Sequence, residues 1–265
     1  MQRARAIVLR QWYLYRGSPA RFLPLFVWVA IDIVLWGFIT RYLNSFASTG
    51  FSFVPTLLGA VLLWDFFTRV LHGVTTAFLE DVWSRNFLNL FATPLLISEY
   101  LAGLVITSIS TSVIGLVIML ILATSAFGLN FFIYGAMVIP FLLVLFLVGI
   151  AFGIAAAALL LRLGPAAEWL IWPIPAMLSP FAGVFYPLST LPHWMQGIAK
   201  FLPPSHVFEG LRAIVTGHPV PEFSLAAGGS LALVYLALAG WFFSSTYHHV
   251  VRSGLIARYA AETVA

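Results

Sequence analysis

The stretch FVPTLLGAVLLWDFFTRVLHGVTTAFL, residues 53–79, is apolar over a length that no strand requires, with Asp65, Arg69 and His72 set deep inside it. A helix needs roughly 20 mostly apolar residues to cross the hydrocarbon of a bilayer, and this stretch exceeds that length. Working outward, similar stretches at 22–43, 101–127, 131–163, 165–187 and 223–247 bring the expected number of spans to six. Composition agrees. Of 265 residues, 62% are hydrophobic and 8% charged, whereas about a quarter of the residues in a soluble domain are charged. The expected fold class is therefore all-α, a polytopic membrane protein. The first span runs into Arg41 and Tyr42 without a small-residue cleavage pattern, so it reads as retained rather than as a signal peptide.

Basic residues near the span ends set the orientation, because Arg and Lys are kept on the cytoplasmic side. Nine of them (Arg3, Arg5, Arg10, Arg16, Arg21, Arg85, Arg162, Arg252 and Arg258) fall on one side, against Arg41, Lys200 and Arg212 on the other. With an even number of spans, both termini are expected in the cytoplasm. The chain has no cysteine, which excludes disulfides, Cys-based metal sites and a thiol nucleophile. With a net charge of +4 and its single basic cluster beside a hydrophobic span, the chain does not suit a nucleic-acid partner.

Three segments are more than spans. Residues 1–21 form the first: Ala4, Ile7, Val8, Trp12 and Tyr15 recur at helical spacing while Arg3, Arg5, Arg10 and Arg16 occupy the other face, the pattern of an interfacial helix. Gly17, Ser18 and Pro19 then make a hinge into the first span. The second is the loop at about 80–92, where Trp83, Phe87, Leu90 and Phe91 share a stripe, so that a short amphipathic helix would expose Glu80, Asp81, Arg85 and Asn89 to a cytoplasmic partner. The third, about 180–217, is dense in Pro and Gly. Its apolar pieces at 191–202 and 206–215 are too short to span, and they read as two short helices folded back around Pro203 and Pro204.

No phosphate-cradling loop ending in Gly-Lys-Ser/Thr is present; Lys200, the only lysine, lies between Ala199 and Phe201. No Gly-x-Ser-x-Gly elbow is present either. The chain is accordingly not expected to be an enzyme by itself. His193, His206, His218, His248 and His249 lack ligand spacing, and no metal site is expected. Charges inside spans are costly and need an account. Asp65 and Arg69, four residues apart, share a helix face: they either neutralise each other as a local ion pair or, with His72, line a dimer seam or substrate route. Asp32 has no charged residue one turn away and is expected to face protein or water.

With these segments in place, the chain resembles the permease subunits of ABC-2 type exporters. The resemblance rests on the basic helix before the first span, on RNFLNLFATPL at 85–95 followed by EYLAG at 99–103, on SPFAGVFYP at 179–187 with Leu191 and Pro192, and on FLPPSH at 201–206 leading to Leu211 and Arg212. It implies a six-span domain over 22–265 that pairs with a second copy or a close homologue and with two copies of an ATP-binding cassette subunit. That subunit would carry ATP and Mg, so no cofactor is expected on this chain. Residues Arg3, Arg5, Arg10 and Trp12 would belong to a connecting helix. Glu80, Asp81, Trp83, Arg85 and Phe87 would belong to a coupling helix docked on the ATPase, and Phe185, Tyr186, Pro187 and Pro203 to re-entrant helices closing the outer end. The loop from Arg162 to Glu168 would give a second, smaller contact.

The location implied is the bacterial cytoplasmic (inner) membrane, with lipid as a further partner. The cargo, moved outward by alternating access, would be amphipathic, a lipid-linked glycan or drug-like, to suit Trp28, Trp36, Trp64, Phe66, Phe67, Trp169 and Trp172. The competing reading is a proton-coupled carrier or lipid scramblase using Asp32, Asp65 and His72. Against it, residues 22–127 and 131–247 show no convincing internal repeat.

Overall fold

The computed structural model describes residues 2–18, 23–46, 53–84, 90 and 93–255, and among these the regular structure is helical throughout. In chain order the helices are α1 (Gln2–Gly17), α2 (Pro24–Asn44), α3 (Gly59–Trp83), α4 (Ile97–Phe127), α5 (Val138–Leu163), α6 (Ile174–Ala182), α7 (His193–Ala199), α8 (Pro203–Val215) and α9 (Ser224–Arg252). A wide five-residue turn, Val54–Leu58, leads into α3, its Pro55 carbonyl taken by the Tyr134 hydroxyl. Among the described residues five helices are long and apolar enough to cross a membrane: α2, α3 with its leading turn, α4, α5 with the turn before it, and α9.

α3 and α5 form the centre. Over half of each span's most apolar window (56%) is buried inside the protein, against 22% for α2 and 17% for α9. Lipid tails are as apolar as leucine, so helices associate in a bilayer through close packing and hydrogen bonds rather than escape from water. The sequence meets that need with small residues. Gly149 and Gly153 of α5 sit against Val70 and Val74 of α3; a Cβ on Gly153 would lie 2.7 Å from the Val74 Cβ and 2.8 Å from the Leu71 carbonyl oxygen. On the other flank of α3, Gly73 faces Ser108 of α4, whose hydroxyl donates to the Val70 carbonyl at 2.8 Å. α2 leans on α4, where Gly37 admits the Phe127 ring.

These contacts also fix direction. Gly149 and Gly153 meet Val70 and Val74 in ascending order, so α3 and α5 run parallel. Gly228 meets Val144, and Tyr235 meets Phe152, so α9 runs parallel to α5 as well. The chain between Leu163 and Ser224 therefore returns from one end of the bundle to the other.

That return is not the continuous helix expected over 165–187. It consists of a 3-10 turn, Pro165–Leu170, a turn through 171–173, and the nine-residue α6, ended by Gly183 at φ +67°. Proline is the cause. Pro173 and Pro175 sit at the start of α6 and Pro180 inside it, each without an N–H to give to the helix ladder. At 1.5 Å per residue α6 is about 14 Å long, half of the roughly 30 Å of hydrocarbon. Beyond it come the two short helices expected around Pro203. α8 buries Val207, Phe208 and Leu211, and its Gly210 lies over the Phe141 ring of α5.

Replacing Gly153 by valine puts methyl groups into the α3–α5 contact. It should lower stability by about 1–3 kcal/mol, read as an earlier unfolding midpoint in a mixed-micelle SDS titration, while Gly240→Val, where a Cβ meets nothing, leaves the midpoint in place.

Candidate functional site

The C-terminal end of α3 is held by α1. Ala4, Ile7 and Gln11 share one face of α1 and are buried; Ile7 fits over Gly103 of α4, and the Gln11 side-chain amide donates to the Ala77 carbonyl at 3.2 Å. Beside them Arg10 forms an ion pair with Asp81, and the Tyr100 hydroxyl donates to the same carboxylate at 2.8 Å. Burial lowers the Arg10 guanidinium from its ordinary value, and Tyr100 and Glu80 act against that. Arg3 completes the attachment. It reaches the Pro94 carbonyl and lies 3.5 Å from Glu99, whose carboxylate accepts from the Leu96 N–H at the start of α4.

Two expectations change here. Glu80 and Asp81 were expected on an exposed docking helix, but α3 continues through Trp83, and both acids lie inside its last turns at 9% and 0% exposure. Asp81 points inward because a carboxylate in so apolar a run needs a partner, and α1 supplies one. Trp83 is the residue left outside, at 47% exposure. Arg85 and Phe87, with the other residues of 85–92 except Leu90, lie outside the described residues. The apolar stripe of α1 also divides: Ala4 and Ile7 face protein, while Trp12, beside exposed Leu9 and Tyr13, faces outward, as does Arg5.

A second cluster lies midway along α3. Asp65, Thr68, Arg69 and His72 follow the i, i+3, i+4, i+7 pattern of one face, the face that the neighbouring helices leave partly uncovered. The ion pair expected between Asp65 and Arg69 is absent; among the described residues none joins them. Arg69 instead lies across Gly115 of α4, where an added Cβ would stand 3.1 Å from its Cδ and 3.3 Å from its Nε. The Asp65 Oδ2, Thr68 Oγ1, Arg69 Nε and His72 Nε2 atoms, with the Ser112 hydroxyl of α4, are buried without a hydrogen-bond partner. Asp32 of α2 is within electrostatic reach of Arg69 and Asp65. At the C-terminal end of the row the His72 ring lies 4.7 Å from Trp172, whose indole N–H donates to Glu168 at 3.3 Å.

Toward the opposite end of the bundle, Phe185 stacks on Trp36 of α2 with ring centroids 5.0 Å apart and planes within 10°. The Tyr186 hydroxyl donates to the Pro180 carbonyl at 2.9 Å, Pro187 is exposed and Pro203 is buried at the head of α8. Glu209, which sequence reasoning passed over, accepts from the Leu188 N–H at 3.0 Å and from Arg212 at 2.5 Å, and Arg212 also donates to the Gly183 carbonyl at 2.6 Å. Burial lowers the Arg212 guanidinium, with Glu209 opposing. Tyr100 and Gln11 were likewise missed; the signal available was Asp81 itself, a charge demanding partners.

Compared with known families, residues 3–216 match the ABC-2 type transporter family. The match covers most of the chain, which belongs to that family and is the transmembrane permease component of a transporter, a multi-pass membrane protein. Such permeases are typically non-catalytic, and the family implies association with an ATP-binding cassette subunit. No curated protein matches the chain.

Asp81→Leu leaves Arg10 charged and unpaired among buried groups, which should cost about 3–5 kcal/mol; Tyr100→Phe, removing one hydrogen bond, should cost about 1–2 kcal/mol. Limited proteolysis of the purified protein checks both, as faster cleavage within residues 1–23. The double variant Arg10→Leu/Asp81→Leu should recover much of the loss.

Proposed function

We propose that the chain is the permease of an ATP-driven exporter in a bacterial inner membrane, working as two copies with two ATP-binding subunits and moving amphipathic cargo outward by alternating access. The observation that carries the reading is the construction of the α3 tip within an ABC-2 domain. A helix that runs through the packed centre ends in a buried ionic lock, with an exposed Trp83 just beyond it. A force applied at that tip is transmitted along α3 to its middle and, through α1, to α4.

In this reading Trp83, Arg85 and Phe87 meet the ATPase, while Glu80 and Asp81 tie the coupling segment to α1 instead of docking. The broken stretch 165–182 serves as the sixth crossing. The parallel course of α5 and α9 supports this, since the intervening chain must reach the opposite end, and both termini then lie in the cytoplasm beside the nine basic residues. Phe185, Tyr186, Pro187 and Pro203 form the outer closure, held by the Glu209–Arg212 pair. The exposed Leu9, Trp12 and Tyr13 of α1 rest in the lipid interface.

The test is co-purification with candidate ATP-binding subunits, followed by ATP hydrolysis in proteoliposomes. One subunit should form a stable complex, and Trp83→Ala with Arg85→Ala should lower complex formation or coupled hydrolysis about tenfold, the effect of removing an interface anchor. Failure of every such subunit to associate would overturn the reading.

A further inference from the structure

The mid-membrane row on α3 has a charge imbalance that neither packing nor ATP coupling uses. Asp32 and Asp65 stand against the single guanidinium of Arg69, a surplus of one carboxylate in each copy. Arg69 does not cancel even one of them by direct contact, since its side chain is laid across Gly115. Five polar atoms from Asp65, Thr68, Arg69, His72 and Ser112 are buried there with no hydrogen-bond partner among the described residues. In hydrocarbon each such group is costly and marks a substrate or ion route.

A second copy does not resolve this by itself. Two copies inserted the same way are related by an axis along the membrane normal, which brings each residue to the depth of its own counterpart. Even with Asp65 of one copy paired to Arg69 of the other, one carboxylate per copy is left over, so the row calls for something between the copies.

Aromatic rings bracket the row. Trp172 touches His72 at the inner end, and Trp36, one turn along α2 from Asp32, carries the stacked Phe185 at the outer end. Surplus carboxylate with aromatic faces is the chemistry that recognises an organic cation.

We propose that the α3 row, with Asp32, Trp36 and Trp172, binds a monovalent organic cation carrying a bulky apolar body, and that cargo of this class is what the permease carries. The inference rests on the permease reading for its transport role, but binding itself needs no ATPase. Asp32 and Asp65 supply the attraction. Arg69 holds the two carboxylates apart in charge balance and keeps the empty row from drawing in small cations.

The test uses two probes of nearly the same shape and opposite charge, tetraphenylphosphonium and tetraphenylborate, by equilibrium dialysis against the full chain in nanodiscs with empty nanodiscs subtracted. The phosphonium should bind saturably and resist competition by the borate. Asp32→Asn and Asp65→Asn should each weaken it by about tenfold or more, as loss of a buried charge partner does, while Asp32→Glu keeps most of the affinity and Arg69→Gln binds as tightly as the parent or more so. Preference of the unaltered protein for the borate, or unchanged phosphonium affinity in both Asn variants, overturns the proposal. The comparison of probes on the unaltered protein stands even if a variant fails to fold. A permease that assembles with its ATPase yet ignores the phosphonium refutes this inference alone; one that binds the phosphonium and assembles with no ATPase refutes the exporter reading alone.

Discussion

Close contact between α3 and α5 is the constraint on which the other positions depend. Gly149 and Gly153 remove the side chains that would keep the two backbones apart, and the Thr75 hydroxyl, donating to the Leu71 carbonyl at 3.0 Å, reaches within 3.5 Å of the Gly153 carbonyl. With α5 on one flank and the Ser108 face of α4 on the other, one strip of α3 is left partly uncovered among the described residues. That strip carries Asp65, Thr68, Arg69 and His72. The polar residues are therefore where they are because the apolar positions of the same helix, Phe67, Val70, Leu71 and Val74, are fully committed to packing.

Along its length α3 passes through three environments. Its start is the wide turn capped by Tyr134, its middle the polar strip, and its far end the lock formed by Arg10, Asp81 and Tyr100. Each end is tied to a different partner, the turn before α5 at the start and α1 with α4 at the far end. A rigid rod fastened in this way carries displacement from one membrane face to the other with little loss.

Much of this was legible in the sequence, and the reasons for the rest are physical. Apolar length identified the spans at α2, α3, α4, α5 and α9, because bilayer thickness leaves few alternatives. It misread 165–187, where apolar composition persists but Pro173, Pro175 and Pro180 deny the backbone a continuous ladder. Helical spacing identified α1 and the α3 row, yet spacing reports only which residues share a face. It gave no sign that Arg69 would turn toward Gly115 rather than Asp65, since that depends on a void in another helix. For Glu80 and Asp81 the charge pattern was read as a solvated face; the contrary clue, an arginine on α1 able to bury one of them, lies 71 positions away in the chain.

The stack of Trp36 on Phe185 has a mechanical consequence. Offset aromatic rings resist being pulled apart but slide over one another with little change in energy. α2 is only lightly enclosed, and this stack joins it to the loop after α6. Such a pair works as a slip joint: movement within the common plane of the rings does not drag the loop, whereas movement that parts the two planes must carry the loop with it. The loop would thus follow α2 in one direction, across the stacked faces, and be indifferent to it in the other two.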